Sequence, residues 1–170
     1  MLVDALDRPF PEASNGARWD LVTDQVMGGV SDATLTRELV AGRVANRLRG
    51  TVRLENDGGF VQMAIDLVPD GGAVDLSAMS HLTLAVIGNA EIYGVHLRTL
   101  DVRRPWQSYR AMFRAEDSWR EVALPLATLA PHRIDMPFDA RRVRRLGIVA
   151  IGRAFTADLA VARVAFDRAD

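Results

Sequence analysis

The chain contains no cysteine and no lysine. The first absence removes disulfides, thiolate zinc sites and a cysteine nucleophile, and it fits a reducing compartment. The second leaves all 21 basic residues as arginine, which favours planar, bidentate contacts, although a coding bias accounts for it more simply. Histidine is scarce: His81, His96 and His132 are scattered and show no metal-ligand spacing. No apolar run approaches the roughly 18 residues of a membrane span. The first nine residues, Met1 to Pro9, carry acids where a secretory or organellar leader would be basic. The expectation is a cytoplasmic protein. Net charge is −1, so no global field draws the chain to nucleic acid or anionic lipid. At 170 residues it is read as one domain, large enough to bury a substantial core.

What is present is a series of short alternating segments punctuated by Gly, Pro, Asn and Asp. Residues 1–18 read as a lead-in, with Leu6 and Phe10 as anchors. Phe60 to Leu67 would place Val61, Met63, Ile65 and Leu67 on one face of a strand. Leu82 to Ile87 reads as a strand buried on both sides. Ile92 to Leu100 sets Tyr93, Val95, Leu97 and Thr99 against His96 and Arg98, and Ser108 to Ala115 sets Tyr109, Ala111 and Phe113 against Arg110, Met112 and Arg114. Arg120 to Leu126, Leu146 to Ile151 and Leu159 to Phe166 follow, whereas 127–145 is irregular apart from one helical turn near Ala140–Val143. No segment sustains helical periodicity over three turns. Nine or ten short strands with these breakers predict an all-β fold, an antiparallel β-sandwich.

Trp19 to Ser31 holds the least replaceable residues. An extended run is cut at Asp24, released through Gly28-Gly29 and restarted at Val30-Ser31. Paired glycines between apolar residues suit a backbone that needs positive φ or close approach. One reading is a turn holding a buried Trp and Met. The other is a loop in which Asp24, Met27, Gly28, Gly29 and Ser31 face a partner or ligand. A second group, Tyr93, Arg98, Trp106, Gln107 and Tyr109, surrounds a loop between two strands. Flat aromatics beside an arginine and an amide can stack a sugar or grip a peptide. Equally, the aromatics plug an edge of the sandwich and the arginine pairs with an acid.

Catalytic patterns are weak. Gly29-Val-Ser-Asp-Ala33 is half of a nucleophile elbow without its final glycine. The three Gly-Gly pairs match neither dinucleotide nor phosphate-loop patterns. The carboxylates at Glu55 and Asp57, or Asp24 and Asp32, have no placement across a bond that would suit a glycosidase. Arg141 to Arg145 lacks interleaved aromatics and reads as a solvated loop rather than a nucleic-acid site. No catalytic residue, cofactor or metal ligand is assigned, although a structural calcium ion is compatible with a sandwich.

Taken together, Trp19, Asp24-Gln-Val-Met-Gly-Gly-Val-Ser31, Gly50-Thr-Val52, Asn56-Asp-Gly-Gly-Phe60, Asp75-Leu-Ser77, Tyr93 to Arg98, Trp106-Gln-Ser-Tyr109 with Phe113, and Trp119 to Pro125 resemble the complex I intermediate-associated protein family of the thirty-kilodalton type. The resemblance spans about residues 6–166. It implies a galactose-binding-domain-like jelly roll related to carbohydrate-binding modules, with no established catalytic residues. In mitochondrial members it implies an assembly factor, a chaperone for an intermediate of NADH:ubiquinone oxidoreductase. The expectation is therefore a free-standing, bacterial-type, non-catalytic binding domain whose partner is a protein, a complex I subunit or intermediate. The alternative is a carbohydrate-binding module using Trp106, Tyr109 and Arg98.

Overall fold

A computed structural model describes residues 1–170. Twelve strands carry the chain: β1 (Leu2–Asp4), β2 (Asp20–Thr23), β3 (Asp32–Val40), β4 (Arg43–Val52), β5 (Phe60–Asp66), β6 (His81–Ile87), β7 (Glu91–Thr99), β8 (Ser108–Ala115), β9 (Arg120–Pro125), β10 (Ala130–His132), β11 (Val143–Ile151) and β12 (Phe155–Asp167). They form two six-stranded antiparallel sheets. The first has the order β3-β4-β12-β6-β9 with β1 also on β12, and the second the order β10-β8-β7-β11-β5-β2.

The period-two pattern determines which side chains face inward. In the second sheet Met63 lies opposite Ile148, which lies opposite Val95, and Ile65, Leu146 and Leu97 form the next row. All six are buried. Leu48, Val52, Leu82, Leu84, Leu159 and Phe166 face them from the first sheet, within one core cluster of 29 residues. Burial of each such side chain stabilises the fold by roughly 1.5–3 kcal/mol.

Two strands fall where irregular chain was expected. β1 lies in the lead-in and β10 inside 127–145, and at three residues each they are too short to show alternation. Pro131 is tolerated in β10 because that strand is an edge. The turn at Ala140–Arg142 is a single 3-10 turn capped by the Asp139 carboxylate. Asp75 accepts the Ser77 amide but starts no helix.

The lead-in is held by buried polar chemistry that alternation does not report. Asp4, fully buried, accepts from Trp19 Nε1 at 2.8 Å, from the amides of Leu6 and Ser14, and from Arg37 Nη2 at 3.4 Å. Arg37 also donates to Asn46 Oδ1 and to the Arg8 and Glu12 carbonyls, and it lies over the Phe10 ring.

The registers also fix the two ends of the sandwich. Phe60 lies opposite Ile151, and Thr23 opposite Val61. Asp24–Ser31, Arg53–Gly59 and Gly152 therefore share one end. Asp66 lies opposite Arg145, and Thr99 opposite Val143, so the loop after Thr99 and the chain before Val143 share the other. Nine residues of β7 separate the two ends, about 30 Å at the usual strand rise.

Candidate functional site

At the first end Asp24 opens a 3-10 turn over Asp24–Met27 and points inward, with no solvent exposure. Its Oδ1 accepts the Ser31 amide at 3.0 Å. Its Oδ2 accepts Ser31 Oγ at 2.5 Å, the Gly59 amide at 2.6 Å and the Phe60 amide at 3.3 Å. Burial pushes this carboxyl up, and the hydrogen bonds from Ser31, Gly59 and Phe60 together carry it below its ordinary value. The group is an ionised hub shared by two loops. Ser31 Oγ extends it by accepting the Arg53 amide.

The hub explains both paired glycines. In each pair one glycine bends the chain and its neighbour makes room for the carboxylate. Gly28 has φ +86° with open space around it, whereas a Cβ on Gly29 would lie 2.4 Å from Asp24 Cγ. In the second loop the order is reversed: a Cβ on Gly58 would lie 2.5 Å from Asp24 Oδ2, and Gly59 has φ +129°. Asn56 Nδ2 joins the loops again at the Gly28 carbonyl.

Asp24, Gly29 and Ser31 are consequently buried inside the loop structure, and the reading in which they face a partner is corrected. For Met27 it is the alternative, a turn holding a buried Trp and Met, that is corrected. Trp19 is buried, but Met27 is 58% exposed and Val26 75% exposed. Val30 and Leu54 are exposed beside them, flanking the Ser31–Arg53 hydrogen bonds. Val26, Met27, Val30 and Leu54 form an apolar apex, with Gly28 in the open backbone between them.

The second candidate group divides between interior and surface. Tyr93 and Tyr109 point inward and have no exposed surface, which corrects their assignment to a ligand surface. Alternation had put them on the core side, and their hydroxyls reach the rim. Tyr93 OH donates to Asn89 Oδ1 and accepts from the Asp158 amide. Burial is the main cause that pushes its phenol up to about 12. Tyr109 OH donates to the Met136 carbonyl.

Arg98 faces outward and spends its guanidinium on the Pro105 carbonyl at 3.1 Å and the Arg104 carbonyl at 3.5 Å. Gln107 Oε1 accepts the Arg103 and Arg104 amides and its Nε2 donates to the Arg133 carbonyl. Both residues shape the loop, on which Trp106 stands half exposed. Arg98, Trp106, Gln107 and Tyr109 lie at the end of the sheet opposite the apex, whereas Tyr93, beside Gly94 that faces Val149, lies toward the apex end, so the structure does not bring the five together.

The outer face of the second sheet was legible only as outward-pointing residues. Across it Arg110 lies opposite His96, which lies opposite Gly147, while Met112 lies opposite Gly94. His96 and His132, distant in sequence, come near each other here on either side of β8, whereas His81 lies on the other sheet. Burial, then Arg110, His132 and Arg98, pull the His96 imidazole down to about 3. Burial, Arg110 and Arg133 lower His132 as well. His96 Nε2 is buried without a hydrogen-bond partner.

Hollows on the surface are shallow and open. One of about 270 Å³ is lined by Gly16, Ala17, Arg18, Asp20, Asp66 and Pro69, none of them a candidate residue. No group of three or more histidine, aspartate or glutamate side chains is placed to hold a metal ion. No helix is long and apolar enough to cross a membrane.

The family description "Complex I intermediate-associated protein 30" matches residues 9–161. The chain belongs to this family. Both glycine-pair loops and Asp24 fall within the matched span. No curated protein matches it in sequence. Among solved structures, the chain is similar to a family 11 carbohydrate-binding module from Clostridium thermocellum in complex with a β-1,3-1,4-mixed-linked tetrasaccharide. That likeness has 10% identity and TM-score 0.72, over 99% of this chain and 95% of that one. A family 30 module of the cellulosomal cellulase Cel9D-Cel44B from the same organism matches at 18% identity and TM-score 0.61, over 81% and 83%. At these identities the likeness is one of fold, and the jelly-roll sandwich expected from sequence is the fold observed.

Proposed function

We propose that this chain is a non-catalytic protein-binding domain that assists assembly of respiratory complex I, seating a subunit or assembly intermediate on the Val26–Met27 apex. The observation that carries this reading is the apex itself. A buried, ionised aspartate and four glycines hold two apolar side chains out in water. A turn with no partner would gain stability by turning Val26 and Met27 inward. Rigid presentation lowers the ordering cost when a partner arrives. Membership of the family supplies the class of partner.

The test is affinity purification from the native host, with the wild type beside a Val26→Asp/Met27→Asp variant of equal melting temperature. The wild type should recover complex I subunits and the variant should lose them. Recovery of none by the wild type, with normal complex I after deletion of the gene, refutes the reading.

Sugar binding is the second reading, favoured by the fold shared with carbohydrate-binding modules. It loses Tyr109 to the core and most of Arg98 to loop carbonyls, leaving Trp106 as the one exposed ring of the three residues named for it. Calorimetric titration with the mixed-linked tetrasaccharide decides it: heat of binding abolished by Trp106→Ala supports a sugar site, and absence of heat removes it.

A further inference from the structure

Most acids of this chain that lie near arginines pair with them. Arg47 meets Glu38 and Asp158, Arg145 meets Asp66 and Asp20, and Arg142 meets Asp101. Twelve of the 21 arginines have no such partner, and half of those twelve gather at the end of the second sheet opposite the apex. Arg98, Arg103, Arg104, Arg110, Arg133 and Arg144 have no carboxylate within ion-pair distance. Arg110 uses only Nε, on Ser108 Oγ at 2.8 Å, so its two terminal nitrogens have no partner in the chain.

The centre of this surface has a small-residue floor and one unsatisfied group. Gly94 lies beneath Met112 Sδ and the His96 ring, Gly147 lies beneath Gln62 Oε1, and His96 Nε2 sits buried and unpartnered beside Arg110. A buried polar atom left without a partner is destabilising, and here that atom lies beside an arginine whose terminal nitrogens are also without partners. Met112 is 51% exposed and Trp106 52% exposed at its margins.

We propose that this face binds an acidic, apolar-containing segment of a protein partner, a site distinct from the apex though it rests on the protein-binding reading above. Planar guanidinium groups match carboxylates in fork geometry. Exposed Met112 and Trp106 suit the apolar residues of such a segment. A nucleic-acid backbone fits less well, because the chain as a whole carries net charge −1 and the face offers a single aromatic ring for stacking. Arg98, Arg110 and Arg133 are spread over β7, β8 and the chain after β10, which suits a chain laid across them and not a small anion enclosed on all sides.

The experiment is fluorescence anisotropy with a labelled peptide repeating Asp-Glu-Leu, titrated with the full-length protein. Controls are a Lys-Lys-Leu repeat, a single-stranded thymidine oligonucleotide and polygalacturonate. The wild type should bind the acidic peptide and not the basic one, with affinity falling as salt rises. Arg110→Gln/Arg133→Gln should weaken it about tenfold or more at unchanged melting temperature, loss of two charge-assisted contacts being sufficient. Val26→Asp/Met27→Asp should bind the peptide as the wild type does. Failure of that apex variant in the native-host purification therefore reads on the apex alone. Absence of peptide binding, binding unaffected by the double arginine variant, or tighter binding of the oligonucleotide or polygalacturonate overturns the proposal.

Discussion

Asp24 is a carboxylate with no exposure to solvent, and a buried charge without donors would cost several kcal/mol. Its partners are local: the Ser31 amide and hydroxyl and the Gly59 and Phe60 amides. The consequence is that the two glycines of each pair fail for different reasons when replaced. Gly28→Ala places a Cβ in open space at φ +86° and should cost about 1–2 kcal/mol, the penalty for an L-residue in the left-handed region. Gly29→Ala drives a Cβ to 2.4 Å from Asp24 Cγ and should cost about 2–4 kcal/mol, as overpacking plus disruption of a buried hydrogen-bonded charge. Urea midpoints of the two variants check the order, and equal midpoints would remove the distinction. None of this asymmetry was legible from the pairs themselves. Sequence marks Gly28 and Gly29 as special, but it leaves open whether Asp24, the residue that makes Gly29 special, faces inward or outward.

Among the elements, strands with five or more alternating residues were readable because inward and outward positions carry opposite chemistry. β5, β7 and β8 fall where Val61, Met63, Tyr93, Leu97, Tyr109 and Phe113 put them. β1 and β10 were not readable, being held by neighbours and not by pattern. For β1 the neighbour is the network around Asp4. Arg37→Met leaves that carboxylate buried without its cation and should destabilise by about 3–5 kcal/mol. Arg49→Met, at a half-exposed ion pair with Glu38, should cost less than about 1 kcal/mol. Thermal unfolding of both variants tests whether the lead-in is strapped by chemistry at Arg37. Equal, small losses would show that packing alone retains it.

At the scale of the whole molecule, acid response follows from groups held away from their ordinary ionisation. His96 is pulled to about 3 and His132 is lowered, both toward the neutral form. The unfolded chain takes up protons on these rings as pH falls through about 6.5, and the native state does so only lower down. Stability should therefore begin to decline near that pH, well above the carboxylate range. Asp24, also depressed, contributes stability that is present above its unfolded value near 4 and lost as pH falls through its lower native value. Urea midpoints between about pH 4 and 8 should slope downward toward acid, and His96→Gln should flatten the upper part of that slope. A flat wild-type profile above pH 5 would contradict the burial of His96. The meeting of His96, His132 and Arg110 across three strands was beyond sequence, because it depends on β10 joining β8 and nothing in 127–145 announces that strand.

One carboxylate serving two loops makes those loops a single inherited unit. A lineage that loses the acid at 24 loses the reason for small residues at both 29 and 58, and one that enlarges residue 58 must also reshape the turn thirty positions earlier. The two motifs should drift together or not at all, each setting the terms on which the other is allowed to change.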